Sequence, residues 1–236
     1  MDLFAPFREA PAEAALLFDV DGTLAPIAPR PELARVPDET RVELERLAGS
    51  YLLVACISGR AGDEAARLVG VDGIRYVGNH GLELDERAAD LAVQISEFRD
   101  SVALPVEDKG LSLSYHYRGA KDEEQARSEL EEIAERARAE GLDPRWGRKV
   151  LEIRPAVAAD KGTAVRALLA AVRARLGLYA GDDTTDLDAF AGLVGAGLDH
   201  AVRIAVESEE GPAALAAGAD VIVAGPDELG RLLRTL

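Results

Sequence analysis

The chain has 236 residues, of which 48% are hydrophobic and 30% are charged. This length and composition predict a folded globular protein with one core domain and a smaller second domain, and they exclude a largely disordered chain. The net charge of -16 repels nucleic acids and anionic membranes, so we expect neither as a partner. A phosphorylated small molecule is compatible with this charge if Lys, Arg or a metal ion creates a local positive site.

Cys56 is the only cysteine, which excludes an intrachain disulfide and gives no sign of an oxidising compartment. The thiol lies in an apolar run, so we expect a buried structural group rather than a nucleophile. No stretch has the ~20 apolar residues of a membrane span, and the first residues lack the basic and apolar regions of a signal peptide. We therefore expect a cytoplasmic protein, and a monomer.

Along the chain, short apolar runs alternate with segments of helical periodicity. This βαβ pattern predicts an α/β fold, with a mostly parallel, Rossmann-like sheet covered by helices. Thr40 and Glu43 match a capping box, and apolar residues from Val165 to Leu176 have a helical spacing that Gly177 can end. The predicted strands are residues 14–19, 51–57, 74–77, 178–180, 202–206 and 220–223.

The middle of the chain has more charge and a different order of elements. This change predicts an inserted α/β domain at 83–155, between two parts of a core at 1–82 and 156–236. Within the insert, apolar stripes predict helices over 91–102 and 126–137.

Two strands predicted in the insert each have a polar face. Residues 111–118 and 149–154 alternate with period two. This alternation places Arg118 on the polar face of the first strand and Glu152 on the polar face of the second. These faces contact either solvent or a polar ligand.

The strongest chemical signal is a pair of carboxylates directly after the first predicted strand. Ligands of open α/β sheets bind at the carboxyl ends of strands, and Asp19 and Asp21 project to the same side of an extended chain. Two neighbouring carboxylates repel each other unless a divalent cation bridges them or one is protonated. A simple Asp-Gly turn is the structural alternative. The run is Leu16-Leu17-Phe18-Asp19-Val20-Asp21-Gly22-Thr23.

Three further polar residues follow in order, each after a predicted strand or at a predicted helix start. They are Ser58, Lys161 and Asp182. Taken singly, Ser58 belongs to a common tripeptide, and Lys161 is compatible with a surface charge. Together with Asp19, their order resembles the haloacid-dehalogenase superfamily of aspartyl-nucleophile phosphatases. That resemblance implies a core of haloacid-dehalogenase type, with the insert as a cap domain that closes over the substrate.

The resemblance also implies a role for each residue. Asp19 would attack phosphorus and form an aspartyl-phosphate, and Asp21 would act first as acid and then as base. Ser58 would hydrogen-bond the phosphoryl group, and Lys161 would neutralise its charge. Mg²⁺ would bind the Asp19 carboxylate, the backbone carbonyl of Asp21 and the Asp182 carboxylate.

Outer residues are expected to support this site. Asp183 or Asp186 would hold the metal ligands in place. Thr23 would either hydrogen-bond the Asp21 side chain or cap the turn. Leu187 stands where the related pattern usually has an acid, and this change lies beyond the metal ligands, so ligation should survive it.

Six runs extend the pattern over most of the chain. They are Asp19-Val20-Asp21-Gly22-Thr23-Leu24-Ala25-Pro26-Ile27, Gly78-Asn79-His80-Gly81, Glu107-Asp108-Lys109-Gly110-Leu111-Ser112, His116-Tyr117-Arg118, Glu152-Ile153-Arg154-Pro155 and Gly181-Asp182-Asp183-Thr184-Thr185-Asp186. With these runs the chain is similar to the trehalose-phosphatase family, which implies hydrolysis of trehalose 6-phosphate.

The same resemblance implies a set of substrate-binding residues. Glu107, Lys109 and Glu152 would bind the sugar hydroxyls through charge-assisted hydrogen bonds. Phosphate or sugar would also be held by Arg60, His80 and Arg118. For each residue of the insert, an exposed charge is the simpler alternative.

Other functions stay open. A phosphatase for sucrose-phosphate or mannosyl-phosphoglycerate has a similar core and cap, and fold alone does not select the substrate. A hexose phosphomutase protects the same aspartyl-phosphate from water and returns the phosphoryl group to another hydroxyl. A sugar-phosphate sensor binds without turnover, but it has no need of an acid-base carboxylate beside the nucleophile.

Overall fold

The computed structural model describes residues 2–28, 30–147, 149–208 and 211–236. The chain divides into two compact units, which we call the first unit and the second unit. The first unit is Met1–Gly81 with Ala159–Leu236, and the second unit is Leu82–Ala158. The predicted insert, 83–155, lies within the second unit, and its action as a cap stays a prediction.

The described part of the chain contains ten strands and nine α-helices. The strands are β1 (Ala14–Phe18), β2 (Leu53–Ile57), β3 (Arg75–Val77), β4 (Glu107–Asp108), β5 (Leu113–His116), β6 (Leu142–Gly147), β7 (Val150–Pro155), β8 (Leu176–Gly181), β9 (His200–Val206) and β10 (Val221–Val223). The helices are α1 (Ala5–Glu9), α2 (Asp38–Ala48), α3 (Gly62–Val69), α4 (Ala88–Asp100), α5 (Glu123–Ala139), α6 (Lys161–Val172), α7 (Asp186–Val194), α8 (Ala213–Gly218) and α9 (Pro226–Leu233).

The first unit is built on a six-stranded parallel sheet in the order β10-β9-β8-β1-β2-β3. Every residue of the central strand β1 is buried, as expected for a parallel sheet covered on both faces. Leu16 of β1 lies in register with Val54 of β2 and Leu178 of β8. The predicted α/β fold with a parallel sheet is therefore confirmed, and each predicted core strand overlaps an observed one, although β8 and β9 are longer than predicted.

Two predicted helix boundaries are wrong. Thr40 lies inside α2, because the helix begins at Asp38 directly after Pro37, whose extended backbone precedes the first turn. Helix α6 ends at Val172, where Arg173 adopts a left-handed conformation (φ 55°). Gly177 consequently lies in β8 rather than at a helix end.

The second unit pairs an antiparallel sheet, in the order β4-β5-β7-β6, with helices α4 and α5. Its apolar core joins Phe98 of α4 and Ile133 of α5 to Leu113 and Tyr115 of β5. On the opposite side of β5, Ser112 and Ser114 are buried as well.

Arg118 lies beyond the end of β5, which stops at His116, so the predicted strand was too long. Among the described residues, no helix combines the length and apolarity needed to cross a membrane.

Candidate active site

The loop after β1 carries the first two predicted catalytic residues. The backbone N–H of Asp19 donates to the carbonyl of Ala180 on β8 at 2.9 Å, so Asp19 continues the sheet. Gly22 has a φ of 88°, and a Cβ at this position would lie 2.1 Å from Asp182 Oδ2. Backbone conformation and space both require glycine here. The turn thereby allows Asp182 to pack against the loop that begins at Asp19.

Two glycines bring the start of α6 against α7. A Cβ on Gly192 would lie 2.4 Å from the carbonyl oxygen of Gly162, and a Cβ on Gly162 would lie 2.3 Å from that of Asp188. The helices therefore approach more closely than larger residues would permit. Asp160 caps α6 by accepting a hydrogen bond from the N–H of Thr163 at 2.7 Å, which defines where the helix begins.

Lys161, the first residue of α6, joins two carboxylates. Its Nζ donates to Asp19 Oδ1 at 2.6 Å and to Asp186 Oδ1 at 2.7 Å. All three side chains are buried, so water screens these ion pairs little. The structure thus brings the predicted nucleophile and the predicted charge-neutralising lysine into direct contact.

Asp186 connects this ion pair to the loop after β8. Its Oδ2 accepts hydrogen bonds from the backbone N–H groups of Asp182 (3.0 Å) and Asp183 (2.9 Å). Its Oδ1 accepts from the hydroxyl of Tyr179 at 2.7 Å, in addition to Lys161. The side chain is fully buried. These four bonds agree with a supporting role for Asp186, whereas the Asp183 side chain is exposed.

Burial and mutual repulsion shift the pKa values of these groups. Burial raises the pKa of Asp19 well above its usual range, Lys161 opposes the shift, and the charges of Asp186 and Asp182 add to it. Burial and Asp186 likewise raise the pKa of Asp182 to about 7. Burial alone would lower the pKa of Lys161, but the carboxylates of Asp186 and Asp19 outweigh it and raise the pKa. The cluster therefore holds more negative charge than its ammonium group compensates.

A divalent cation could compensate the excess negative charge of this cluster. Carboxylate oxygens of Asp19, Asp182 and Asp186 lie within 4.8 Å of one another, and oxygen ligands are those that hard divalent cations prefer. Both oxygens of Asp186 already accept hydrogen bonds. Among the described residues, Oδ2 of Asp19 and Oδ2 of Asp182 accept none, so these two carboxylates are the better ligands.

Ser58, at the end of β2, lies against a left-handed turn at His80. The backbone N–H of His80 donates to the Ser58 carbonyl at 2.9 Å, and His80 has a φ of 54°. A Cβ on Gly59 would lie 2.7 Å from Nε2 of His80, so glycine makes room for the ring. The Ser58 hydroxyl oxygen accepts from the N–H of Arg60 at 3.1 Å. His80 is therefore placed beside the predicted phosphate-binding serine.

The Arg60 side chain forms an ion pair with Asp21, the predicted acid-base residue. Its Nε and Nη2 donate to the two carboxylate oxygens of Asp21, both at 2.7 Å. Nη1 pairs with Glu64, and Nη2 also donates to the Pro31 carbonyl at 3.0 Å. A two-pronged pair of this kind holds a carboxylate in a defined orientation.

Three contacts in this site differ from the prediction or were missed. The Thr23 hydroxyl donates to Asp182 Oδ1 at 3.3 Å, not to Asp21, because Gly22 lets Asp182 pack against the loop. Glu64 was missed, although it lies four residues after Arg60, the usual spacing of a helical ion pair. Tyr179 was missed because a hydroxyl in a buried strand has no distinctive sequence signal.

Two predicted sugar-binding residues of the second unit, Glu107 and Glu152, lie on its four-stranded sheet. Glu107 and Glu152 stand on either side of Ser114 in register. Lys109 Nζ lies 3.7 Å from Glu152 Oε1, and Glu107 Oε2 lies 2.6 Å from a ring nitrogen of His116. Two acids of the sheet and a lysine just beyond β4 thus lie close together, whereas the Arg118 side chain is exposed beyond β5.

Comparison with known proteins adds an independent line of evidence. A family model described as trehalose-phosphatase matches residues 17–100 and 103–215. A trehalose-phosphate phosphatase of Mycolicibacterium paratuberculosis is 35% identical over 229 residues, which cover 86% of this chain and 57% of that protein. The chain thus spans little more than half the length of this curated relative.

Two solved structures are similar in fold. A trehalose-6-phosphate phosphatase related protein has a TM-score of 0.74 and 26% identity, with 94% of this chain and 96% of that chain covered. A haloacid dehalogenase-like hydrolase from Bacteroides thetaiotaomicron has a TM-score of 0.61 and 14% identity, over 94% of this chain and 98% of that chain. The second likeness concerns the fold alone.

Proposed function

This chain belongs to the trehalose-phosphatase family, and from that premise we propose that it hydrolyses trehalose 6-phosphate to trehalose and phosphate. The observation that carries the proposal is the buried contact between Asp19 and Lys161 at the carboxyl end of β1. A carboxylate beside a fixed ammonium group suits phosphoryl transfer, which requires positioning and stabilisation of charge.

Asp19 is the proposed nucleophile. One carboxylate oxygen attacks phosphorus, an Asp19–phosphorus bond forms, and the bond from phosphorus to the sugar oxygen breaks. Lys161 stabilises the negative charge on the phosphoryl oxygens, and the Ser58 hydroxyl donates a hydrogen bond to one of them. The products of this step are the aspartyl-phosphate and the free sugar.

Asp21 is the proposed acid and base. In the first step it gives its proton to the departing sugar oxygen, and in the second it takes a proton from the water that attacks phosphorus. That attack releases phosphate and restores Asp19. The pair with Arg60 holds the Asp21 carboxylate in a defined orientation, two residues after the proposed nucleophile.

Mg²⁺ is the proposed cofactor, held by Asp19, Asp182 and the backbone carbonyl of Asp21. When bound, it would supply positive charge to the phosphoryl oxygens and compensate the repulsion between the carboxylates. Asp186 and Thr23 orient Asp182 through the hydrogen bonds described above. Asp183 supports the site only through its backbone N–H, which donates a hydrogen bond to Asp186 Oδ2.

We propose that the second unit is a cap domain and that it binds the sugar. We propose that Glu107, Lys109 and Glu152 bind trehalose hydroxyls. The register of Glu107 and Glu152 on the sheet and the short distance from Lys109 to Glu152 support this proposal. Arg60, His80 and Arg118 are the proposed further contacts to phosphate or sugar. The cytoplasmic location and the monomeric state stay predictions.

Phosphate release from a panel of esters tests the proposal. The panel contains trehalose 6-phosphate, sucrose 6-phosphate, mannosyl-phosphoglycerate, glucose 6-phosphate and an aryl phosphate, each with Mg²⁺. We expect the highest kcat/KM with trehalose 6-phosphate. A higher kcat/KM with another ester would make that ester the substrate and refute the assignment of trehalose 6-phosphate. An isomerised sugar phosphate with little free phosphate would indicate a mutase.

A further inference from the structure

Tyr179 is a fully buried polar residue that the mechanism above does not use. It lies in β8, and its ring meets Phe190 of α7 edge to face, with centroids 6.2 Å apart. Burial, followed by the nearby charge of Asp186, raises the pKa of the hydroxyl well above its usual value. The group is therefore protonated and acts as a hydrogen-bond donor.

The hydroxyl donates to one atom, Asp186 Oδ1, at 2.7 Å. The same oxygen accepts from Lys161 Nζ, and the other oxygen accepts from the backbone of Asp182 and Asp183. A carboxylate offers about four lone-pair sites. All of them are used, so neither rotation nor translation of the Asp186 carboxylate is possible without loss of a hydrogen bond.

The orientation of the Lys161 ammonium group depends on the position of the Asp186 carboxylate. An ammonium group has three N–H donors, of which Asp19 takes one and Asp186 another. Within the described ranges of the chain, the third donor is left for a phosphoryl oxygen. Its direction is determined by the two acceptors, and the Asp186 acceptor is held in turn by Tyr179.

We propose that Tyr179 is a positioning residue for Lys161, which it orients towards the transferred phosphoryl group through Asp186. This role rests on the proposed phosphatase function. A tyrosine that only filled the core would need its ring and not its hydroxyl.

Tyr179→Phe separates the two possibilities, because it removes the hydroxyl and keeps the ring. We expect kcat for trehalose 6-phosphate to fall by about tenfold or more, since the lost bond is to a charged group. KM should change less than about twofold, because the orientation of Lys161 matters most as charge develops in the transition state.

Two controls identify the cause of such a loss. Phe190→Leu disturbs the ring contact and keeps the hydroxyl bond, so it should lower the melting temperature and leave kcat near that of the wild type. Tyr115→Phe removes a buried hydroxyl that has no hydrogen-bond partner among the described residues, and it should change neither kcat nor KM.

A double-mutant cycle tests the link to Lys161. In a Lys161→Gln background, Tyr179→Phe should cause no further loss of the residual rate. Equal losses with and without Lys161, or wild-type kcat in Tyr179→Phe, would overturn the role of Tyr179 while the phosphatase function stands. A wild-type protein that hydrolyses no ester would refute the function itself, and this role with it.

Discussion

Asp182 is a buried carboxyl group, and its surroundings in the first unit disfavour the ionised form. Burial and the charge of Asp186 raise its pKa from 3.8 to about 7. Between these values the folded protein keeps a proton that the unfolded chain has lost. The free energy of unfolding of the metal-free protein therefore falls as the pH rises through this window, and this group causes no further loss above it. Burial shifts the pKa of Asp19 in the same direction.

We expect the metal-free protein, kept in EDTA, to melt at a lower temperature at about pH 7 than at about pH 5. Asp182→Asn should flatten this dependence, because the amide does not titrate. Asp183→Asn, at an exposed side chain in the same loop, is the matched control. It should keep most of the slope of the wild type, because the charge of Asp183 raises the pKa of Asp182 less than burial and Asp186 do. Parallel curves for the wild type and Asp182→Asn would contradict the assignment.

At the scale of single residues, the contact between Asp19 and Lys161 could be predicted, because their residue types and their order along the chain are characteristic. The catalytic roles of Asp19, Ser58 and Lys161 stay predictions. The bond from Tyr179 to Asp186 could not be predicted, because it depends on which face of β8 meets α7. The partner of Thr23 was missed for a related reason: its bond to Asp182 joins segments that are far apart in sequence.

Among the elements, the sheet of the second unit carries the proposed specificity. Glu152 stands on β7 between Ser114 of β5 and Arg145 of β6. Its Oε1 accepts from the Ser112 hydroxyl at 3.0 Å, which orients the carboxylate. If this face binds the sugar, a change at Glu152 should affect esters that carry the disaccharide and spare those that do not.

We expect Glu152→Ala to raise KM for trehalose 6-phosphate about tenfold, the order of magnitude for one lost charge-assisted hydrogen bond. Activity with an aryl phosphate should change little, because this ester lacks the hydroxyls. Glu135→Ala, on the exposed side of α5, is the control and should affect neither ester. Equal losses with both esters would remove Glu152 from the sugar site.

Strands were predicted more reliably than helix ends, for a physical reason. A buried parallel strand such as β1 needs a run of apolar residues, and that run is visible locally. Helix ends depend on single backbone conformations. Helix α2 begins after Pro37, at Asp38, two residues before Thr40. Arg173 ends α6 in a left-handed conformation that is uncommon outside glycine.

On the scale of the whole molecule, the net charge of -16 attracts cations and repels anionic substrates. A divalent cation at Asp19 and Asp182 would remove the repulsion that destabilises the first unit. Binding to the folded state alone stabilises a protein by mass action. The same carboxyl groups bind protons, so protons and the metal ion compete.

Mg²⁺ should therefore raise the melting temperature, and the increase should be larger at about pH 8 than at about pH 6. The measurement is a thermal melt at equal ionic strength, with and without Mg²⁺. Asp182→Asn should lose most of the increase, whereas Asp183→Asn should retain it. An increase of the same size in the wild type and in Asp182→Asn would place the ion elsewhere.

The division into two units was visible as a change of composition, since the segment after residue 82 is richer in charge. The positions of Glu107 and Glu152 on the sheet of the second unit could be predicted only in part. Period-two alternation predicted the polar side of β7 that carries Glu152, but the pairing of β4 with β5, which brings in Glu107, depends on the turn between them.

Trapping the phosphorylated enzyme tests the covalent mechanism at its first step. Wild-type protein with Mg²⁺ is mixed with trehalose 6-phosphate, quenched in acid within one turnover and digested for mass spectrometry. We predict that the peptide containing Asp19 gains the mass of one phosphoryl group, and that Asp19→Asn gains none and releases no phosphate. Rapid hydrolysis without any phosphorylated peptide, or substantial activity in Asp19→Asn, would contradict the covalent mechanism.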